Sequence, residues 1–132
     1  MLNLLSMIDI SDEEFEKLIA EAMDAIPEQY ARNMKNVGIT WDSEPSPEQR
    51  QKLKLRGDQQ LFGLYEGIPL TKRNSGYNLV LPDKITIFKH PMVDMFYDKP
   101  NLTKQVRQTL WHEVAHHFGL DHQRIEELEK RF

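Results

Sequence analysis

Residues 112–122 read HEVAHHFGLDH and contain four of the five histidines in the chain. On a helix, two residues four apart lie one turn above each other, so His112 and His116 can direct a ring nitrogen at the same cation. Zinc suits such a pair, because it binds neutral imidazole at about 2.0–2.1 Å and takes three protein ligands in catalytic sites. The stretch therefore predicts a helix that carries a zinc site.

Further residues in this stretch complete the pattern. Glu113 lies about 100° round the helix from His112, where a carboxylate can take a proton from water on the metal. Gly119 lets the chain leave the helix in a left-handed conformation, so that His122 can turn back as the third ligand. Asp121 is the alternative third ligand. We favour His122 by position, because Asp121 is suited to cap the N-terminus of a following helix.

The complete pattern is specific. At average residue frequencies H-E-x-x-H occurs by chance in roughly one chain of this length in a few hundred, and the added Gly and third His lower this to about one in a hundred thousand. Two alternatives remain, namely histidines that only decorate a solvated helix face, and a zinc ion with a structural role. The second is the weaker reading, because structural sites usually have four ligands and favour Cys, which the sequence lacks.

The composition predicts one compact domain over residues 1–132. The chain is 39% hydrophobic, which is enough for a single core. The absence of Cys agrees with a reducing cytoplasm. Residues 1–9 are apolar but lack a basic leader and a cleavage site, and no other run approaches a membrane span. Met7 is a second candidate for the start of translation, which would leave residues 1–6 ahead of it, and we treat residues 1–7 as a candidate extra N-terminal tail.

The charge pattern bears on the partners of the chain. The formal net charge is -4, and the basic residues are dispersed rather than gathered into a stripe. We therefore do not expect nucleic acid as the main partner, and without a run that approaches a membrane span we expect no membrane partner. A peptide or protein substrate remains, and the sequence gives no indication of an oligomeric state.

Hydrophobic periodicity and turn signals predict a mixture of helices and strands. Ser11 and Glu14 form a capping box for the first helix, and Pro27 starts a short helical piece. In chain order the prediction is helix 11–25, a short helix from 27, strand 36–42, a loop at 44–60 that could be mobile, strand 61–65, strand 84–89, a helical turn at 91–98 with Met92, Met95 and Phe96 in the core, helix 102–118 and helix 123–132.

Two surfaces follow from these patterns. On helix 102–118 an apolar arc adjoins an arc that holds both His112 and His116, so one side of the helix should pack while the other faces a cleft. The alternating strand at 84–89 has a polar face that could be open. We also expect an open edge along residues 85–88, with which an extended peptide could pair.

In the order of its helices and strands the chain resembles the minimal zincins, a family of small bacterial zincin-like metallopeptidases. The resemblance runs from Ile8 onward and is carried by Phe15, residues 25–27 (AIP), 63–70 (GLYEGIPL), 81–87 (LPDKITI) and 106–119 (VRQTLWHEVAHHFG). It implies an α+β fold in which a small mixed sheet of three or four strands packs against an N-terminal helix and a C-terminal active-site helix.

The resemblance also implies roles for residues of the motif. His112 and His116 correspond to zinc ligands and Glu113 to the base. Many members have Asp at the third-ligand position, whereas this chain has His122, which brings it closer to the metzincin pattern H-E-x-x-H-x-x-G-x-x-H. None of the ten residues printed after His122 is Met, so the methionine turn of the metzincins is not found there.

Two functions are compatible with these residues. The first is a zinc-dependent metallopeptidase, in which Glu113 and Zn²⁺ activate the water that hydrolyses a peptide bond. The alternative is a metal-stabilised module that binds a peptide or protein with little or no turnover, because so small a chain builds shallow walls. Cutting of a mixed peptide library, and its loss with a chelator, would distinguish the two.

Other polar residues have weaker assignments. We interpret His117 as a core histidine or as one that supports the ligands from behind, rather than as a ligand. Tyr65, Tyr97 and Arg73 are candidate donors to a developing oxyanion, although ordinary packing is the favoured role of Tyr97.

Overall fold

The computed structural model describes residues 10–56, 60–68, 82–96 and 98–130. The architecture is α+β, with one mixed sheet of three strands, as the sequence predicts. The elements in chain order are α1 (Asp12–Asp24), α2 (Glu28–Ala31), β1 (Val37–Asp42), α3 (Pro47–Lys52), β2 (Gly63–Glu66), β3 (Asp83–Phe88), α4 (Lys89–Met95), α5 (Lys99–His117) and α6 (His122–Glu129).

The strand β3 occupies the centre of the sheet, in the order β1-β3-β2. It pairs in parallel with β1, with Ile39 opposite Ile85, and antiparallel with β2, with Tyr65 also opposite Ile85. The predicted open edge along 85–88 is therefore wrong, because both edges of β3 are occupied. The predicted open face is wrong as well, since Thr86 is fully buried. A central strand is covered on both faces, and its alternating sequence does not reveal this.

The outer edge of β2 is instead the sheet edge that lies beside α5. The main-chain N–H of Phe88 donates to the carbonyl of Phe62 at 2.8 Å. Hydrogen-bonded and non-bonded pairs alternate in an antiparallel ladder, so Gly63 and Tyr65 direct their main-chain groups away from β3. Within the described ranges no strand pairs with this outer edge.

The core lies between the sheet, α1 and α5. As predicted, the apolar arc of α5 is buried, and it packs on α1, β2 and β3. The main buried cluster consists of Ile10, Phe15, Leu18, Ile19, Ala22, Ile26, Ile85, Ile87, Met92, Leu102, Val106, Leu110, Trp111, Val114, Ala115, Ile125 and Leu128. This packing fixes the helix that carries the histidine motif against the sheet.

The segment predicted as a loop at 44–60 contains a helix, α3. Ser46 and Gln49 form a capping box in which each side chain bonds the main chain of the other, and Pro47 occupies the first turn. Ser-Pro-Glu-Gln is a helix start signal, but the absence of an apolar stripe in the residues that follow concealed it. A side-chain bond from Gln49 to Glu66, at 3.1 Å, ties α3 to β2.

The elements around α5 differ in detail from the prediction. The residues at 91–95 belong to α4, in which Met92 is buried as expected, but Met95 is 57% exposed and does not enter the core. The helix α5 begins at Lys99 rather than near residue 102, because Asp98 caps it and Pro100 fits its first turn. The predicted burial of Ile125 and Leu128 in the final helix is confirmed.

Some predictions fall outside the described residues, among them the N-terminal tail at 1–7. Within the described ranges, no helix combines the length and the apolar character needed to cross a membrane.

Candidate metal centre

The helix α5 carries the first two predicted ligands on one face. His112 and His116 are one turn apart, and their ring centroids are separated by 4.7 Å. Just beyond them the helix ends in a Schellman motif, in which Gly119 N–H donates to His116 O and Leu120 N–H donates to Ala115 O. Gly119 has a φ of 72°, which is the left-handed conformation predicted from the sequence.

This reversal brings His122 back to the first two histidines. His122 is the first residue of α6, and its ring centroid lies 5.8 Å from that of His112 and 5.9 Å from that of His116. The three predicted ligands are therefore near neighbours, although they belong to two different helices.

Asp121 performs the structural task predicted for it. It is the N-cap of α6, and its carboxylate accepts a hydrogen bond from the main-chain N–H of Arg124 at 2.8 Å. Its side chain is exposed. The two candidates for the third ligand thus occupy different environments, with the His122 imidazole among the other histidines.

Imidazole is a suitable ligand type for zinc, and the distances between the three rings are close to those that a shared zinc ion requires. A ring that binds zinc at about 2.0–2.1 Å has its centroid roughly 3 Å from the metal, so three ligand rings at tetrahedral angles have centroids about 5 Å apart. The distances to His122 are somewhat longer, and no group of three or more His, Cys, Asp or Glu side chains in the described ranges could hold a metal ion as placed. The difference amounts to about 1 Å of ring movement, and His122 is exposed and can turn on its χ angles. Zinc binding stays a prediction.

The surroundings of His116 favour its neutral form. Burial, and then the proximity of His112 and His122, lower the pKa of His116 below its ordinary value of 6.5. Neutral imidazole is the form that binds metal ions. His116 therefore stays neutral, and able to bind a cation, at a lower pH than an exposed histidine would.

Glu129, the last residue of α6, faces the ring of His112. Its carboxylate oxygen lies 3.6 Å from His112 Nδ1, which is near this nitrogen but longer than a good hydrogen bond. Carboxylates near the free ring nitrogen orient metal-binding histidines. This contact leaves Nε2 of His112 as the nitrogen that can face a metal.

The candidate base, Glu113, lies against strand β2. The main-chain N–H of Tyr65 donates a hydrogen bond to its carboxylate. Burial raises the pKa of Glu113 from 4.5 to about 7, and the bond from Tyr65 opposes this rise. In the metal-free protein the carboxyl group can therefore both hold and release a proton near neutral pH.

A cavity of about 320 Å³ opens beside these groups. It lies between the start of β2 and the polar face of α5, and Glu129 forms one wall. The lining residues are Leu61, Phe62, Gly63, Gln105, Gln108, Thr109, His112, Glu113 and Glu129. The cleft predicted beside the polar arc of α5 is thus present.

A second polar cluster lies buried behind the histidines. Asp83 Oδ2 lies 2.6 Å from Tyr65 Oη and 2.8 Å from His117 Nδ1. His117 is fully buried, and it is a core histidine as the sequence predicted. The Tyr65 hydroxyl is bonded to Asp83, which disfavours the predicted oxyanion role. Tyr97 and Arg73 lie outside the described residues.

Sequence reasoning missed two features of the site. Nothing in the pattern of α6 distinguished Glu129 from the other acidic residues of that helix. Asp83 and His117 are far apart in sequence, so their pairing could not be read from spacing. Gly63 signalled a different contact, that of β2 with α5, because a glycine inside a strand often marks the close approach of another part of the chain.

Comparisons with known proteins agree with this geometry. A solved structure of a conserved hypothetical protein from Thermus thermophilus is similar with a TM-score of 0.56 and 20% identity, covering 92% of this chain and 100% of that chain. At this identity the likeness supports the fold alone. No functionally curated protein matches the sequence. Residues 34–131 match the model of the zincin-like metallopeptidases, a segment that includes the sheet, the histidine motif and α6. The chain therefore belongs to the zincin-like metallopeptidase family.

Proposed function

We propose that this protein is a zinc-dependent peptidase. The observation that carries the proposal is the approach of three imidazoles, with centroids 4.7 to 5.9 Å apart, next to a carboxylate at the wall of an open cavity. Three neutral nitrogen ligands leave one position of a tetrahedral zinc free, as in catalytic sites. Membership of the zincin-like family supports the same function.

His112, His116 and His122 would hold the ion, and Glu113 would move the proton. Zinc, when bound, supplies a Lewis acid that polarises a carbonyl group and acidifies water. The Glu113 carboxylate accepts the proton of the attacking water and then returns it to the leaving amine. Glu129 keeps the His112 ring oriented during these steps.

The substrate is a peptide or protein in extended conformation. The main-chain groups of Gly63 face outward along the outer edge of β2, beside Glu113, and edge strands bind extended peptides by adding a strand. A side chain of the bound peptide could occupy the cavity of about 320 Å³. This placement replaces the edge of β3 predicted from the sequence.

Composition supports the choice of partner and compartment. The dispersed positive charges and the net charge of -4 disfavour a nucleic acid or an anionic membrane as partner. The chain has no Cys, which agrees with a reducing compartment, and we infer the cytoplasm as its location.

A single experiment separates this function from its alternative, the metal-stabilised binding module. Zinc-loaded protein is incubated with a mixed peptide library, and the fragments are identified by mass spectrometry. We expect cleavage that a chelator abolishes and that added zinc restores. The matched control is Glu113→Gln, which should retain stoichiometric zinc and lose cleavage, because an amide cannot accept the proton. Peptides that are retained but never cut by either protein would favour the binding module, and cleavage by Glu113→Gln at the parent rate would exclude Glu113 as the base.

A further inference from the structure

Tyr65 makes contacts at both ends of the residue, one with the candidate base and one with the buried polar cluster. Its main-chain N–H donates to the Glu113 carboxylate, and its hydroxyl lies 2.6 Å from Asp83 Oδ2. We propose that Tyr65 is a positioning residue, whose hydroxyl is anchored by Asp83 and His117 so that its main-chain amide holds the Glu113 carboxylate in place. The proposal rests on the proposed function, in which Glu113 is the base.

The anchor is built from groups that have little freedom. Asp83 is 2% exposed and His117 is fully buried. Because a carboxylate only accepts hydrogen bonds, the Tyr65 hydroxyl and His117 Nδ1 both donate to Asp83 Oδ2. His117 Nε2 has no hydrogen-bond partner among the described residues, so the bond to Asp83 determines the orientation of this ring. Buried hydrogen bonds to a charged group are strong, and removing one partner is costly.

The strand that carries Tyr65 needs such an anchor. β2 has only four residues, and the described part of the chain provides no strand on its outer side. Edge segments with few partners open readily. The amide of Tyr65 points to that outer side, where the Glu113 carboxylate receives it. Without the hydroxyl bond, the position of this amide would depend on a short ladder with β3.

Two glycines lie on either side of Tyr65, and their lack of a side chain allows the main chain to lie close to α5 and to Asp83. A Cβ atom on Gly63 would lie 2.6 Å from Thr109 Cγ2 and 3.3 Å from Glu113 Cγ, on the side of α5. A Cβ atom on Gly67 would lie 2.5 Å from Asp83 Cγ, over the buried carboxylate. The main chain therefore contacts α5, which carries Glu113, on one side of Tyr65 and the buried Asp83 on the other. Because both contacts are close, a shift of the Tyr65 side chain at Asp83 would also move its main-chain amide at Glu113.

The test measures the amide of residue 65 by hydrogen exchange in NMR spectra of the zinc-loaded protein, which requires no substrate. In the parent protein this amide should exchange slowly although it points away from β3. Tyr65→Phe removes only the hydroxyl, and we expect the residue 65 amide to exchange about tenfold faster relative to other slow amides, such as those of Thr40 and Ile87, which point into the ladder between β1 and β3. Glu113→Ala, which removes the acceptor, should have a similar effect on this amide.

Tyr30→Phe is the matched control. Tyr30 packs on Trp111 and Phe118, and its hydroxyl has no partner that the described residues supply, so its loss should leave the residue 65 amide unchanged. If the peptidase is active, Tyr65→Phe should also lower kcat about tenfold while KM and zinc affinity stay the same.

Three results would overturn the proposal. The first is a residue 65 amide that exchanges in the parent protein as fast as an unprotected amide, a measurement that does not depend on any variant folding. The second is an exchange rate in Tyr65→Phe equal to that of the parent. The third is an exchange rate that rises in Tyr65→Phe by the same factor for the residue 65 amide as for the other slow amides, which would assign the Tyr65 hydroxyl a general stabilising role. A protected amide in a protein that cuts no peptide would support the positioning contact while the proposed peptidase fails.

Discussion

The imidazole of His122 lies 5.8 Å from that of His112, measured between ring centroids, although a helix end and a left-handed turn at Gly119 separate them in the chain. Asp121, one residue earlier, is turned to the first turn of α6, where its carboxylate caps the helix. The structure therefore gives the two neighbours different environments, and their substitutions should have different effects.

The first prediction concerns these two neighbours. His122→Ala should weaken zinc affinity by about tenfold or more, because it removes one of three ligands. Asp121→Ala should leave zinc affinity almost unchanged and lower the free energy of unfolding by about 1 kcal/mol, because it removes a helix cap. Competition with a chromophoric chelator measures the first quantity and urea unfolding of the metal-free protein the second. A metal-bound structure with an Asp121 oxygen at about 2.0–2.2 Å from zinc would refute the assignment.

The second prediction concerns stoichiometry. The parent protein should bind one zinc ion per chain, since His112, His116 and His122 form one cluster. His112→Ala and His116→Ala should each lose it, as measured by metal analysis after mild dialysis at pH 7. His90→Ala is a suitable control, because His90 lies on α4 beside Asp94 and should leave the zinc content unchanged. Stoichiometric zinc in either ligand variant would contradict the assignment.

The third prediction concerns the pH dependence of stability in the metal-free protein. Folding raises the pKa of Glu113 from 4.5 to about 7 through burial, so the folded state binds this proton more tightly than the unfolded state. The resulting stability is fully present below about pH 4.5 and is lost as the pH rises through about 7. A shift of this size corresponds to about 3 kcal/mol as an upper bound.

Glu113→Gln should remove this contribution. Between pH 5 and pH 8 its free energy of unfolding, measured with urea after complete removal of metal, should fall by about 2–3 kcal/mol less than that of the parent. The histidines titrate in both proteins, so the difference between the two isolates Glu113. Parallel pH profiles would show that the Glu113 carboxyl group is ionised in the folded protein throughout this range.

The local patterns predicted the helices better than the sheet. The apolar arc of α5 and the N-cap at Asp121 depend on residues near one another in sequence, and both are present in the structure. The central place of β3 depends on a parallel pairing with β1, and no periodicity within β3 shows which neighbours it has. For this reason Thr86, in an alternating strand, resembled a solvent-facing residue although it is buried.

The site shows the same limit. The spacing of the motif was enough to predict that His112, His116 and His122 approach one another. The contacts of Tyr65 with Glu113 and Asp83 join three separate elements, and spacing alone carries no information about them. The helix α3 was missed for a different reason, because its start signal at Ser46 was followed by no apolar stripe.

The last prediction concerns Gly63, whose lack of a side chain lets β2 lie against α5. A Cβ atom there would lie 2.6 Å from Thr109 Cγ2, a distance that real contacts do not reach, so strand and helix would have to separate. We expect Gly63→Ala to lower the free energy of unfolding by about 1–3 kcal/mol. Gly38→Ala in β1 is the matched control, because the nearest atom to its Cβ is Asp83 O at 3.9 Å, an ordinary contact.

A second substitution tests the cause of this loss. Thr109→Ser removes the methyl group in conflict but keeps the hydroxyl that bonds Gln105 at 2.8 Å. In the double variant Gly63→Ala/Thr109→Ser we expect at least half of the lost stability to return, because the remaining contact with Glu113 Cγ is only slightly tight at 3.3 Å. Urea unfolding of the parent, both single variants and the double variant forms a complete cycle. Strict additivity of the two substitutions would mean that the contact between Gly63 and Thr109 does not set the distance between β2 and α5.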